Sequence, residues 1–333
     1  RFSAKRLSTS VIFGLIVFVF LMANNTSTWG LVFIILGLRF FGQGMLGHIS
    51  MVFCGKWFFK NKGKAVAVAN SGYTLAEAIM PTIFVALIGL LSWQVSWYVS
   101  IIMSILILAS VRFLAKTERN KGTKPQKENQ QVGMLKKSWK RSEMLRSWVF
   151  WAAVPGLMTS PMITTTLFFH QVHLVEIKSW DLSTYVLFIP AYSAATLFSL
   201  YLIGYLVDKL STKIILPVFL FPLISGLLLL SIATSYLELL LIFILLGLSA
   251  GAYIVVYGTF FPEFFGSLYL GSVRTVGVTI MVFSSAIGPV LSGYFIDLGY
   301  LIDHQFKFFA AFSVFASLLF LTINLSVKLP EKA

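Results

Sequence analysis

Gly204-Tyr205-Leu206-Val207-Asp208-Lys209-Leu210-Ser211-Thr212-Lys213 is the stretch on which the fold turns. Its polar part, Asp208 to Lys213, is a brief interruption between two long apolar runs, 183–207 and 213–234. Each run has about the 20 residues a helix needs to cross hydrocarbon. The stretch therefore reads as a tight charged turn between two membrane helices. Working outward in both directions finds eight further runs of the same kind: 8–24, 29–53, 65–91, 93–113, 147–170, 237–262, 271–296 and 305–327. Several contain Gly or Pro, which membrane helices tolerate because neighbours satisfy the freed backbone groups.

Composition agrees with that reading. Of 333 residues, 58% are hydrophobic and 11% charged, against about 45–50% and roughly 25% in soluble domains. Mean hydropathy is +0.87. A soluble core of this size leaves much of its surface wet and could not hide so much apolar area. A soluble enzyme, a disordered chain and a fibrous protein are thereby excluded. Barrel strands would read as short alternating segments, so the fold expected is an all-α integral membrane protein. The single cysteine, Cys54, excludes a disulfide framework and any cysteine-based metal site.

The charges orient the spans. With residue 1 in the cytoplasm and the spans alternating, the inside segments hold 23 of the 26 Lys and Arg residues. Outside lie only Lys178 and Lys307, and Arg39 falls within a span. Basic residues concentrate in cytoplasmic loops, so both ends are expected in the cytoplasm. The net charge of +14 then belongs to those loops, and nucleic acid is not expected as a partner. Eleven of the inside residues run from Arg112 to Arg146, ten of them in the long polar segment 114–146. That segment divides a bundle at 1–113 from a second at 147–333. Its end brings Leu135, Trp139, Leu145 and Trp148 near one helical face among Lys and Arg, as an interfacial helix would or as a solvated linker carrying the inside charge.

The chain also repeats itself. At an offset of 208, Ser3 meets Ser211, Lys5 meets Lys213, Gly63 meets Gly271, and Ala78-Ile79-Met80-Pro81 meets Ala286-Ile287-Gly288-Pro289 without a gap. The spans superpose at the same offset. The second bundle has six spans and the first has four, and residue 1 corresponds to Lys209, which follows two spans. Two further helices are therefore expected ahead of Arg1. The chain reads as an N-terminally truncated piece of a 6+6 protein, with ten of twelve helices present.

The turn quoted first resembles the cytoplasmic loop motif of the major facilitator superfamily, with Ser211 and Thr212 in place of a Gly and a basic residue. Arg1-Phe2-Ser3-Ala4-Lys5-Arg6 looks like the tail of the other copy, and Arg39-Phe40-Phe41-Gly42-Gln43-Gly44 resembles the family's fourth-helix motif. The passage from Trp57 to Gly72 is similar to the fifth-helix motif of the monocarboxylate-porter group, in agreement at Phe58, Lys60, Ala65, Ala67, Ala69 and Gly72. Thr196 and Leu200 stand where the animal carriers hold an Asp and an Arg, which points to a bacterial-type relative. The resemblance implies a major facilitator fold and secondary transport. It also implies that Gly204, Asp208 and Lys209 form a gating motif, with Asp208 latching against the basic start of the Gly63 helix or standing as an exposed charge.

The residues themselves offer several binding groups. Arg39 lies 15 residues before Cys54, about 22 Å from the inner end at 1.5 Å per residue. Glu77 lies 12 residues after Ala65, about 18 Å from that end. Ionisable groups are expensive in hydrocarbon, so the two are expected either to pair statically or to switch, with Arg39 on an anionic substrate and Glu77 carrying a proton. Gln43 shares the Arg39 face. Thr164 and Thr165, beside Pro161 and Pro155-Gly156, offer hydroxyls to a cavity or back to their own helix. His170 is a proton-sensing or interfacial group. Tyr192 is one of several tyrosines for the cavity wall, the interface or helix packing. No ATP-phosphate loop, metal-ligand cluster or nucleophile elbow occurs in the sequence.

The expected function is secondary active transport of a small solute, a monocarboxylate-like organic anion, by alternating access with a proton as co-substrate. The setting is the lipid bilayer of the plasma (inner) membrane, as a monomer, without enzymatic activity, metal or cofactor. Two other readings stand beside it. One is an efflux carrier of amphipathic compounds, although Ser71-Gly72 to Pro81 lacks that group's clustered Gly-Pro pattern. The other is a non-transporting membrane sensor with a transporter fold.

Overall fold

A computed structural model describes residues 4–58, 61–120 and 131–330. Among them every regular element is a helix. Helix α1 (Ala4–Ala23) is followed by α2 (Thr28–Leu38), a π-helical stretch (Arg39–Leu46) and α3 (Gly47–Trp57), which run on as one rod. Then come α4 (Lys62–Leu90) and α5 (Trp93–Asn120). Past the long polar segment lie α6 (Arg141–Leu145), α7 (Trp148–Phe169), α8 (Gln171–Ile177), α9 (Leu182–Leu187) and α10 (Ile189–Lys209). The chain continues through α11 (Thr212–Ile215), α12 (Phe221–Ile232), α13 (Tyr236–Phe265), α14 (Leu270–Asp297) and α15 (Ile302–Ser326).

Eight of the described helices are long and apolar enough to cross a membrane. Helix α4 has the length of a span, 29 residues, and its second half, from Ile79 to Leu90, is apolar throughout apart from Pro81, Thr82 and Gly89. The run 213–234 is not one helix. It breaks between Ile215 and Phe221 into a four-residue turn of helix and a twelve-residue helix. Pro217 and Pro222 account for the break, because each lacks the backbone donor that would continue the helical hydrogen-bond ladder.

The described residues form two compact units. The first takes the chain up to Phe53 and from Ile79 to Asn120; the second takes Cys54–Ala78 and the described residues from Gln131 onward. Helix α4 thus contributes its first half to one unit and its second half to the other. In the first unit α1 packs on α5 and on the α2 rod. Phe41 covers Gly14 and Phe18 covers Gly37.

The second unit holds the main core. Its closest seam is α10 against α13, where Gly247 and Gly251 leave no room for a Cβ beside the carbonyl oxygens of Tyr192 and Thr196. Lipid is as apolar as leucine, so membrane helices associate through such close backbone approach rather than through hydrophobic expulsion. A larger side chain at Gly251 would wedge the seam apart. The same device recurs where Gly156 of α7 receives Phe320 of α15, and where Gly288 of α14 meets Met162 and Thr166 of α7.

Helix ends follow local chemistry. Ser235 and Glu238 form a reciprocal capping box at the start of α13. Gly266 ends that helix at φ +82°, a conformation natural to glycine. The polar segment after residue 130 docks on this end. Ser267 donates to the Gln131 carbonyl (2.9 Å), Trp139 N–H donates to the Phe265 carbonyl (2.9 Å), and the Trp139 ring meets Phe265 edge-on. Lys137 Nζ sits 4.2 Å above the Trp139 ring and 3.2 Å from Glu143 Oε1. The Lys140 backbone N–H and the Lys137 ammonium hold the Glu143 carboxyl below its usual range. At the segment's end Met134–Lys136 forms a single 3-10 turn and Arg141–Leu145 a short α-helix; Trp139 packs on the end of α13, and Trp151, in the first turn of α7, donates to the Leu145 carbonyl.

Candidate functional site

The geometry is best built from the turn that opened the sequence reading. Asp208, near the end of α10, accepts the Gly63 N–H at Oδ1 (2.7 Å) and the Lys64 N–H at Oδ2 (3.0 Å). A carboxylate there satisfies two of the orphan donors at the start of α4 and meets the positive end of its dipole. The approach needs glycine on both helices. A Cβ on Gly63 would run into the Gly204 carbonyl oxygen, and one on Gly204 would lie 2.9 Å from that of Gly63. Tyr205 rises beside the crossing, with Lys64 Nζ 5.7 Å and Lys209 Nζ 6.0 Å from its ring centre. Gly204, Asp208 and Lys209 therefore sit at one clasp that closes the start of α4 onto α10.

Arg39 opens the π-helical stretch, and Gln43 lies on it. Both are exposed. A π-helix is rare and concentrates at functional sites. Gly42 and Gly44 lie within this stretch. Arg39 belongs to the first unit and Glu77 to the second, and Glu77 is exposed as well. Within the second unit Tyr73 and Glu77 lie one turn apart on α4, and Tyr192 of α10 is buried and meets Phe168 edge-on at 5.7 Å.

Helix α7 sorts its polar residues differently. Thr159 and Thr166 donate back to Gly156 and Met162 of their own helix. Thr164 lines a small apolar crevice with Leu167, Phe168, Tyr185, Leu230 and Phe243. Thr165 is half-buried. His170 ends α7 with Nε2 3.0 Å from the Pro289 carbonyl oxygen of α14. An oxygen acceptor at that distance places the proton on Nε2 and makes His170 a tie between the two helices.

One group was not singled out from the sequence. Arg274 counts among the loop cations there, yet it lies in the second turn of α14 and is only 4% exposed. Its guanidinium sits 5.3 Å from the centre of the Tyr257 ring. Nε and Nη1 have no acceptor within hydrogen-bond distance, and the Tyr257 hydroxyl, itself without a close partner, faces the guanidinium. Tyr253 stacks on Tyr257 and donates to the Leu157 carbonyl (2.9 Å). The internal repeat held a signal for this: at offset 208 the counterpart of Arg274 is Val66, an apolar position buried to 1% exposure.

The family model for the Major Facilitator Superfamily matches residues 1–273, and the chain belongs to that superfamily. It is therefore an integral membrane protein with a transporter's fold. No curated protein sequence matches it. Among solved structures, the E. coli fucose:proton symporter superposes with a TM-score of 0.70 at 11% identity, over 96% of this chain and 84% of that one. The human organic anion transporter MFSD10 superposes with a TM-score of 0.71, also at 11% identity, over 97% of this chain and 76% of that one. A second structure of the fucose symporter, in the outward conformation, gives a TM-score of 0.65. At this identity the likeness establishes the fold alone.

Proposed function

We propose that the protein is a secondary active transporter of a small organic anion of monocarboxylate type, working by alternating access with a proton as co-substrate in the plasma (inner) membrane. The observation that carries this reading is the Asp208 clasp. Helix α4 is shared between the two units, and Asp208 holds its first turn to α10 by two backbone hydrogen bonds. Releasing a two-bond contact frees the first turn of α4 from α10, and a contact that opens and closes in this way is the kind of bistable element alternating access needs. The surrounding Lys64, Lys209 and Lys213 support a cytoplasmic position for the clasp.

Arg39 supports the anionic substrate, as a cation set within a long apolar rod on a π-helical turn. In this reading Gln43 shares its ligand, and Glu77 carries the proton. A proton symporter and an organic anion transporter both have the fold, so the fold accommodates both parts of the reading and selects neither. The test is uptake of labelled lactate or pyruvate by the full-length protein in proteoliposomes, with and without an inward proton gradient. Gradient-driven uptake is expected. Folded protein that takes up neither anion would overturn the substrate assignment.

A further inference from the structure

The most anomalous group in the described structure is a cation with nothing to neutralise it. Arg274 is buried, its Nε and Nη1 lack acceptors, and among the described residues no carboxylate pairs with it. The acids at the same end of the second unit are engaged elsewhere. Asp208 is turned to Gly63 and Lys64, and Glu263 accepts from the backbone N–H and hydroxyl of Thr212. The Tyr257 ring offers a cation–π contact, which returns less than a lone guanidinium loses on leaving water.

The Tyr257 hydroxyl faces the same guanidinium and has no close hydrogen-bond partner of its own. It reaches α14 at Gly277, where a Cβ would lie 3.1 Å from it. Gly277 is three residues beyond Arg274 and so shares its helix face. Guanidinium donors and a phenolic hydroxyl therefore converge on one spot of α14. What they have in common as partners is an anionic oxygen, since arginine only donates and a phenol donates readily to a carboxylate. One cation matches one negative charge.

The cover over this spot is the start of α4. The Cys54 thiol lies 3.8 Å from the Ala65 carbonyl, and Val66 presses on Gly258 beside Tyr257. Those residues follow directly on Gly63 and Lys64, the two that Asp208 holds.

We propose that Arg274 and Tyr257 form a binding site for the carboxylate of a small monoanion, closed over by the first turns of α4 and opened when the Asp208 clasp releases. The site rests on the organic-anion reading given above and adds to it a second arginine that is only accessible with the clasp undone. Binding neutralises the buried guanidinium and so favours the closed arrangement.

Maleimide labelling of Cys54, read by peptide mapping of the full-length protein in nanodiscs, tests this directly. Cys54 is 6% exposed in the closed arrangement. Sodium lactate, balanced against sodium chloride, is expected to slow its labelling severalfold. Arg274→Gln should remove the lactate effect and Arg274→Lys should retain part of it. Tyr257→Phe, a milder change that keeps the ring, should raise the half-effective lactate concentration about fivefold, the value of one hydrogen bond. Equal protection by lactate in Arg274→Gln, or an unshifted response in Tyr257→Phe, would overturn the site while leaving lactate transport untouched. Equal protection by chloride and lactate would overturn the carboxylate assignment. Wild-type protein that neither transports lactate nor is protected by it would remove the organic-anion reading, and this site with it.

Discussion

Arg39 and Arg274 are the same side chain in two opposite situations. Arg39 stands exposed on a π-helical turn in the middle of a long apolar rod. Arg274 stands near a helix start, where sequence expects a solvated loop cation, and is buried against Tyr257 with two donors unused. Depth along a helix and burial within the protein are therefore separate quantities. Position in the sequence speaks to the first and only tertiary packing to the second.

The sharpest way to break the comparison is to take the charge from each in turn. Arg274→Met keeps volume and removes an unpaired buried cation. Replacing buried ionic groups by apolar ones of similar size is often stabilising, by about 1–4 kcal/mol, so the thermal midpoint of the purified protein should rise. Lactate uptake should nevertheless fall by more than about 100-fold, because the loss of one partner of a buried ion pair costs about 3–5 kcal/mol. A lower midpoint with normal uptake would show that Arg274 serves only packing. Arg39→Ala should behave in the other way. Stability should stay within about 0.5 kcal/mol of wild type, as for exposed positions generally. Uptake should drop at least about tenfold, in keeping with about 1.5–3 kcal/mol for a hydrogen bond to a charged group. Wild-type uptake would remove Arg39 from the substrate's path.

Asp208→Asn tests the cover that separates the two situations. It leaves the shape of the clasp but takes away the charge facing the α4 start. A favourable, partly buried charge at a helix N-terminus contributes up to about 2 kcal/mol, so the clasp should open about 5–30 times more often. Faster maleimide labelling of Cys54 by that factor is the expected reading. An unchanged rate would mean that the Gly63–Gly204 crossing holds α4 by packing alone.

How much of this was legible beforehand depends on which interactions are local. The Asp208 turn was legible because its residues are polar, contiguous and placed between apolar runs. The membrane class was legible because 58% hydrophobic content has no soluble solution at this length. The broken run 213–234 carried its own sign in Pro217 and Pro222, which hydropathy averages away. The π-helix at Arg39–Leu46 had no such sign, since a change of helical period alters hydrogen bonding without altering composition. Arg274 was hidden by the rule that oriented the chain: counting cations by side assigns each to water, and the few that are buried vanish into the count. The docking of the segment after Gln131 onto the end of α13 was equally hidden, because it rests on backbone carbonyls at Phe265 and Gln131 that no side-chain pattern advertises.

Thr164 gives the smallest expected effect and a useful one, because sequence and structure disagree about its surroundings. Among Pro and Gly in a membrane helix, its hydroxyl invites a role in a polar cavity. In the structure it faces Leu167, Phe168, Leu230 and Phe243 in a narrow apolar crevice. A hydroxyl there has little water to lose and no anion to meet. Thr164→Val keeps the branched shape and exchanges the oxygen for a methyl group, so uptake should stay within about twofold and stability within about 0.5 kcal/mol. A tenfold loss of lactate uptake without loss of stability would place the substrate in that crevice, away from both arginines, and would cost the comparison its premise that charge, and not hydroxyls on α7, recognises the anion.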